Sequence, residues 1–249
     1  MDFKVKGNSN YNLKLENNLV SKTSHKKDVR LIVSAKKQKD FESNFFKSPT
    51  VTDIHENGFS MEYIQGESFS QFFTLATKRD LDGLIRKLDG YFKERIIGEI
   101  TISIQILKDK LQSLPNGNNL LPLLSNHSDI TIKVGLSHGD MTLSNMIFTD
   151  EIYLIDFLDS YIESPTMDLV KLRQDTHLYW SLNMVSNVTD LTKIKLGLLY
   201  IDKWLVENYP IEKYELLQII NLLRIYPYTN DIEIKKYLQT NINKLCELL

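Results

Sequence analysis

The sequence predicts an α+β chain of two lobes, a small β-rich one first and a larger, mostly helical one after it. Three observations carry this expectation. Short alternating runs of apolar and polar residues, bounded by Gly, Asn and Ser turns, recur through residues 1–65 on either side of one helical stretch. Apolar residues at helical spacing dominate 66–249. A polar loop and a tight hairpin interrupt those helices at 134–157. The 249 residues, 42% hydrophobic and 25% charged, suffice for one large domain or two small lobes with ample core.

In chain order, residues 2–23 read as three short strands: Phe3–Lys6, Tyr11–Leu15 and Leu19–Thr23, with Gly7-Asn8-Ser9-Asn10 between the first two and Glu16-Asn17-Asn18 before the third. Val29, Ile32, Val33, Phe41 and Phe45 suggest a helix over 28–46 with a basic outer face. Val51–His55 and Gly58–Ile64 read as a strand pair. Thr77-x-x-Asp80 has the form of a helix cap, followed by Leu81, Leu84, Ile85, Leu88 and Phe92 at helical spacing. A second helical run is expected over about Ile96–Leu114, and Pro115–Asn119 is a loop. Beyond Pro165 helices continue, with breaks near Ser186-Asn187, Pro210 and Pro227–Asn230.

The chemistry concentrates in His138-Gly139-Asp140-Met141-Thr142-Leu143-Ser144-Asn145 and in Ile155-Asp156-Phe157-Leu158-Asp159. Strand-like Val134-Gly135-Leu136 precedes the first motif. A hairpin, Asn145–Phe148 against Ile152–Ile155 with a Thr149-Asp150 turn, joins the two and carries Asn145 and Asp156 to one place. A carboxylate, then an amide, then a second carboxylate are the groups phosphoryl transfer needs: one to orient the attacking hydroxyl, two to hold magnesium on nucleotide phosphates. The order and spacing parallel the kinase H-R-D-x-x-x-x-N loop and its D-F-G.

With Gly at 139 and Asp-Phe-Leu-Asp as the second motif, the chain resembles the aminoglycoside phosphotransferase and choline kinase family, over about residues 7–175. The resemblance implies a protein-kinase-like fold, with 1–65 as a nucleotide-binding lobe and 66–249 as a catalytic and substrate-binding helical lobe. It implies ATP as phosphate donor with Mg²⁺, Asp140 as catalytic base, and Asn145 and Asp156 as metal ligands. Gly7–Leu13 resembles the family's first turn, so Ser9 and Asn10 are phosphate-contacting candidates. Lys22 on the third strand stands where a cation meets the phosphates; Lys14 is its rival. Met61, Glu62, Tyr63 and Ile64 resemble the hinge that pairs with adenine, although Met61 and Ile64 also suit core packing. Asp168 resembles a buried acid bracing the catalytic loop, and His138 a structural residue of that loop. Asp159 would orient substrate or cap local backbone. The expected helix offers Ser34 and Lys36 where a glutamate partner for Lys22 belongs, and Glu42 is the first acid with a chance.

Gly139 and the short interval from Asp156 to Asp168 leave no room for an activation loop, so a small-molecule hydroxyl acceptor is expected rather than a protein. Sugars and amino alcohols such as choline lead; an aminoglycoside kinase or a catalytically weak nucleotide-binding regulator are the alternatives. Tyr161, Tyr179, Trp180, Trp204 and Tyr226 could supply an aromatic wall or could be core. Residues 161–249 are nearly balanced in charge, which does not favour a polycationic substrate. A net charge of −2 gives no reason to expect nucleic acid. Without an apolar span, a signal-peptide core or more than the single Cys246, a cytoplasmic location away from membranes is expected. His25, His55, His127 and His177 form no metal-binding spacing. Oligomeric state is not legible.

Overall fold

The computed structural model describes residues 11–125, 127–185 and 190–249. The expected strand Phe3–Lys6, the turn bearing Ser9 and Asn10, and the break at Ser186-Asn187 lie outside these residues. Strands β1 (Asn12–Glu16) and β2 (Leu19–Thr23) are joined by Asn17 and Asn18, whose φ values of 49° and 61° lie in the left-handed region that asparagine tolerates. Helix α1 (Val29–Lys39) begins at Asp28, whose side chain accepts the N–H groups of Arg30 and Leu31. Strands β3 (Val51–His55) and β4 (Gly58–Glu62) complete an antiparallel sheet of order β1-β2-β4-β3. Leu31 and Ala35 of α1 pack on Val51, Phe59 and Met61 to form its small core.

Helix α1 ends earlier than the expected 28–46. The Ser43 hydroxyl accepts the Phe45 N–H at 3.1 Å, a local turn that competes with helix. Phe41, Phe45 and Phe46 then reach into the core of the large lobe instead of extending α1. Their burial there outweighs continued helix.

Helix α2 (Phe69–Leu75) was not anticipated, although Ser68 and Gln71 form a capping box at its start. Thr77 and Asp80 form the expected box at the start of α3 (Lys78–Arg95). The expected helical run Ile96–Leu114 divides. Its first part is strand β5 (Ile96–Ile102), paired antiparallel with β6 (Ile130–Gly135); only after the Ser103 cap does α4 (Ile104–Gln112) begin. Four isoleucines and a threonine in β5 are β-branched, stiff in a helix and suited to a pleat. The expected loop at Pro115–Asn119 passes into a 3₁₀ segment at Gly117.

The hairpin forms as expected from β7 (Met146–Phe148) and β8 (Ile152–Leu154). It is not isolated. Lys47 bonds along β8 through Ile152 and Leu154, and Glu67 exchanges two backbone hydrogen bonds with Phe148 of β7. Helices α5 (Pro165–Thr176), α6 (Leu191–Asn208), α7 (Tyr214–Ile225) and α8 (Ile232–Cys246) follow. One core joins α3 and α6 to Met141, Leu143 and the hairpin; a second joins α4, α7, α8 and β6 to Met167 and Val170 of α5. The loop between β6 and β7 is thereby pinned between two apolar clusters. Among the described residues no helix is long and apolar enough to cross a membrane.

Gly135 ends β6 opposite a bulge at Ile96–Gly98, with φ of 151°. A Cβ there would stand 1.8 Å from the Arg95 carbonyl oxygen. Gly135→Ala is expected to lower unfolding free energy by about 1–3 kcal/mol, read from urea midpoints; an unchanged midpoint would show that the bulge yields freely.

Candidate functional site

Strand β6 delivers the chain to Ser137–Asp140, and the backbone there takes a shape only glycine permits at 139. Gly139 has φ of 88°, and an added Cβ would stand 1.8 Å from the Leu158 carbonyl oxygen. An arginine at this position is therefore excluded by space as well as by backbone. The buried Asp168 carboxylate accepts the His138 and Gly139 N–H groups at 2.6 and 2.8 Å. Burial pushes Asp168 up to about 7, even though both N–H donors pull the other way.

His138 ties the loop to the hairpin. Its Nδ1 accepts the Asp140 N–H at 3.2 Å, so the remaining proton sits on Nε2, which donates to the Ile155 carbonyl at 3.0 Å. The ring packs against Phe157 with centroids 4.2 Å apart. Burial lowers its pKa to about 4, so the neutral form is retained. A second proton would face the Asp140 N–H. Asn145 is held from two sides: Ile155 N–H donates to its carbonyl at 3.0 Å, and its side-chain amide donates to the Asp140 carbonyl and carboxylate at 2.8 and 3.1 Å.

Two lysines complete the arrangement. Lys171 of α5 meets Asp140 Oδ1 at 2.9 Å. Burial raises Asp140, but the Lys171 charge and the hydrogen bonds from Lys171 and the Asn145 amide outweigh it and hold the carboxyl below its ordinary value. Lys22 of β2 meets Asp156 Oδ1 at 2.8 Å, and this answers the question of its partner. Asp156 adopts φ of 60°, a left-handed conformation for a non-glycine residue. Lys22 is 7% exposed, whereas Lys14 is paired with Glu16 in solvent; only the former faces the site. Glu42 lies beyond α1, with its carbonyl taken by Arg95. Lys37 of α1 instead bonds the Leu158 carbonyl and the Glu163 carboxylate, so the helix offers the site a cation where an acid was sought.

Three site residues escaped the sequence reading or were read alone. Asp168, Lys171 and Asp175 are spaced i, i+3, i+7 along α5 and face one way. Asp175 accepts N–H groups of Leu143 and Ser181, and burial raises it to about 6. Among the hinge candidates, Met61 is buried in the small core and takes a hydrogen bond from Gln38, so packing is its role. Glu62 and Tyr63 N–H groups donate to Thr50 and Asn18, while Ile64 N–H has no acceptor among the described residues. Trp180 is 5% exposed and packs on Tyr237, and Trp204 packs on Tyr209. Trp180 is thus a core residue, whereas the partly buried Trp204 lines an open pocket with Asp82, Arg86 and Tyr200, whose lining includes neither Asp140 nor Asp156. Asp159 is exposed with no partner among the described residues.

The neutral requirement at His138 has a sign. Its folded pKa of about 4 lies below the ordinary 6.5, so the associated stability is complete above 6.5 and is lost as pH falls toward 4. The loss is on the order of 3 kcal/mol. His138→Gln is expected to flatten this acid-side decline in urea midpoints; an identical decline in the variant would place its cause elsewhere.

No family model matches the chain, and no curated protein does. Solved structures resemble it over nearly its whole length. A choline/ethanolamine kinase family protein from Mesorhizobium loti aligns with a TM-score of 0.52 at 16% identity, covering 97% of this chain and 85% of that one. The ADP-bound aminoglycoside phosphotransferase APH(2'')-Ib aligns at 0.53 and 18% identity, covering 96% and 89%. A thermostable mutant of aminoglycoside phosphotransferase APH(4)-Ia, in complex with ADP and hygromycin B, aligns at 0.56 and 10% identity, covering 96% and 94%. The chain has the two-lobed protein-kinase-like fold of these phosphotransferases.

Proposed function

We propose that this chain is an ATP- and magnesium-dependent phosphotransferase of the aminoglycoside phosphotransferase and choline kinase family, moving the γ-phosphoryl group to a hydroxyl of a small metabolite. One observation carries the reading: Asn145 bonds Asp140, the Ile155 backbone next to Asp156 bonds both His138 and Asn145, and Lys171 and Lys22 pair with the two acids. A kinase fold alone does not require those side chains to converge.

The donor set fits magnesium. Asn145 Oδ1 and Asp156 Oδ2 accept no hydrogen bond among the described residues, and both are hard oxygens at the end of one hairpin. Asn145 and Asp156 would hold the ion, which supplies neutralisation of phosphate charge during transfer. Lys22 supplies a positive charge beside Asp156 for the phosphate oxygens, and the spare Ile64 N–H suits an adenine edge. Asp140 orients the acceptor hydroxyl and takes its proton. Its carboxylate oxygens keep spare lone pairs beside Lys171 and Asn145, so a hydroxyl donor can still be accepted. Lys171 makes Asp140 a weak base, which suits a loose transition state in which positioning counts for more than early deprotonation. The core placement of Trp180 removes one ring from any cage for a quaternary amine, so the acceptor class stays a sugar or an amino alcohol.

Asp140→Asn is expected to retain fold and nucleotide binding but to lower turnover about 10²–10⁴-fold. Asp156→Ala should abolish magnesium-supported ATP binding in calorimetry, and Lys22→Met should raise the ATP KM while Lys14→Met does little. Unchanged magnesium dependence in the Asp156 variant would sink the metal assignment. Lys171→Met removes the cation that lowers Asp140, so the acid limb of the pH–kcat profile should move to higher pH. A limb that stays put, or moves lower, would mean Asp140 is not the titrating base.

A further inference from the structure

The segment that leaves Asp156 for α5 carries Tyr161, and two cations gather on its ring. Lys110 Nζ of α4 lies 5.7 Å from the ring centroid, and the Arg224 guanidinium of α7 lies 5.4 Å from it. Arg30, at the first turn of α1, is near enough that it and Arg224 join burial in holding Lys110 below its ordinary pKa. Positive charge from the small lobe and from the large lobe thus bears on Lys110, beside a ring five residues beyond Asp156.

Arg30, Lys110 and Arg224 form no ion pair among the described residues. The neighbouring acids are committed elsewhere: Asp28 caps α1 and accepts the Tyr11 hydroxyl, and Glu163 holds Lys37 and Ser137. The exposed Asp159 accepts no hydrogen bond among the described residues. Two donors are moreover sealed from solvent without a partner, the Tyr161 hydroxyl and Arg224 Nη1. Buried polar atoms are nearly always bonded, so these two orphans, one of them on Arg224 itself, together with Lys110 and Arg30 call for an acceptor-rich group. A cationic amine would meet repulsion here.

We infer that Arg30, Lys110, Tyr161 and Arg224 form an anion subsite for the phosphoryl acceptor, so that this chain acts on a hydroxyl compound bearing a carboxylate or a phosphate. The inference rests on the phosphotransferase reading for the word acceptor, but the subsite itself can be tested by binding. Arg224 and Lys110 would grip the anion, the Tyr161 hydroxyl would donate to it, and Arg30 would close over it from the small lobe. The free hydroxyl of the same molecule would then be presented toward Asp140.

The test uses compounds in matched sets that differ in one charged group: glycerol, glycerate, glycerol 3-phosphate and choline; glucose, glucuronate, glucose 6-phosphate and glucosamine. Calorimetry with saturating ADP and magnesium keeps the phosphate probes out of the nucleotide site, and labelled ATP reads transfer. The anionic members of at least one set should bind about 10-fold or more tightly than their neutral twin, and the carboxylate and phosphate arms tell the two anions apart. Arg30→Gln, at an exposed position, and Lys110→Gln should each weaken the anion about 10-fold and leave the neutral twin and ATP KM unchanged. Arg224→Lys should retain more binding than Arg224→Gln. Anions binding no better than neutral or cationic twins, or variants weakening all members alike, would overturn the inference. Anion binding that depends on these residues, with no transfer to any hydroxyl compound, supports the subsite and counts against the phosphotransferase reading instead.

Discussion

The bonds from the Asp168 carboxylate to two successive backbone N–H groups, His138 and Gly139, are the constraint on which the site depends. They are possible only because Gly139 can hold its left-handed turn with the Leu158 carbonyl pressed where a side chain would start. With those N–H groups fixed, His138 is aimed at Ile155, Asp140 at Lys171, and the following residues Met141 and Leu143 fall into the apolar core. Asp168 sits in the first turn of α5, where the helix dipole favours negative charge. Removing the carboxylate would leave two buried donors unsatisfied at the point where the loop changes direction.

Charge in the site is arranged as two lysine–carboxylate pairs from different parts of the chain. Lys22 and Asp156 are joined across the lobes, Lys171 and Asp140 within the large one. Neither acid is left alone in a partly dry environment, where an isolated charge would be costly. The same pairing separates the acids' tasks. Asp140 has its lysine on a helix locked into the core, while Asp156 has its lysine on a strand of the small sheet. Movement of the small lobe thus acts on Asp156 and leaves Asp140 in place.

What could be read from the sequence was local. The loop motif, the hairpin and the Thr77 cap are written in contiguous residues, and the structure has them. Lys22 could be favoured over Lys14, but its partner could not be found, because Asp156 lies 134 positions away. Lys171 and Asp175 were missed for a different reason: α5 is buried on nearly all sides, so its charges carry no amphipathic contrast to mark a functional face. Ile96–Ile102 was misread because a short apolar run satisfies either periodicity, and pairing with β6 decides it. Phe41 and Phe45 kept helical spacing with Val29 and Ile32, yet belong to the other lobe's core.

The stitching of the hairpin to Lys47 on one edge and Glu67 on the other has a mechanical consequence. Both segments that tie β3 and β4 to the rest of the chain are anchored to one ribbon, β8 on the Lys47 side and β7 on the Glu67 side. The anchors stand three strand spacings apart, about 14 Å. Two fixed points define an axle. Twisting or sliding of the sheet across the line joining them must break ladder hydrogen bonds, and rotation about it must part Lys22 from Asp156 and Lys37 from Leu158 and Glu163. Asn145 and Asp156 flank that same ribbon and not the sheet, so the pair of oxygens keeps its spacing whatever the sheet does, and only the Lys22 contact is exposed to a shift of the small lobe.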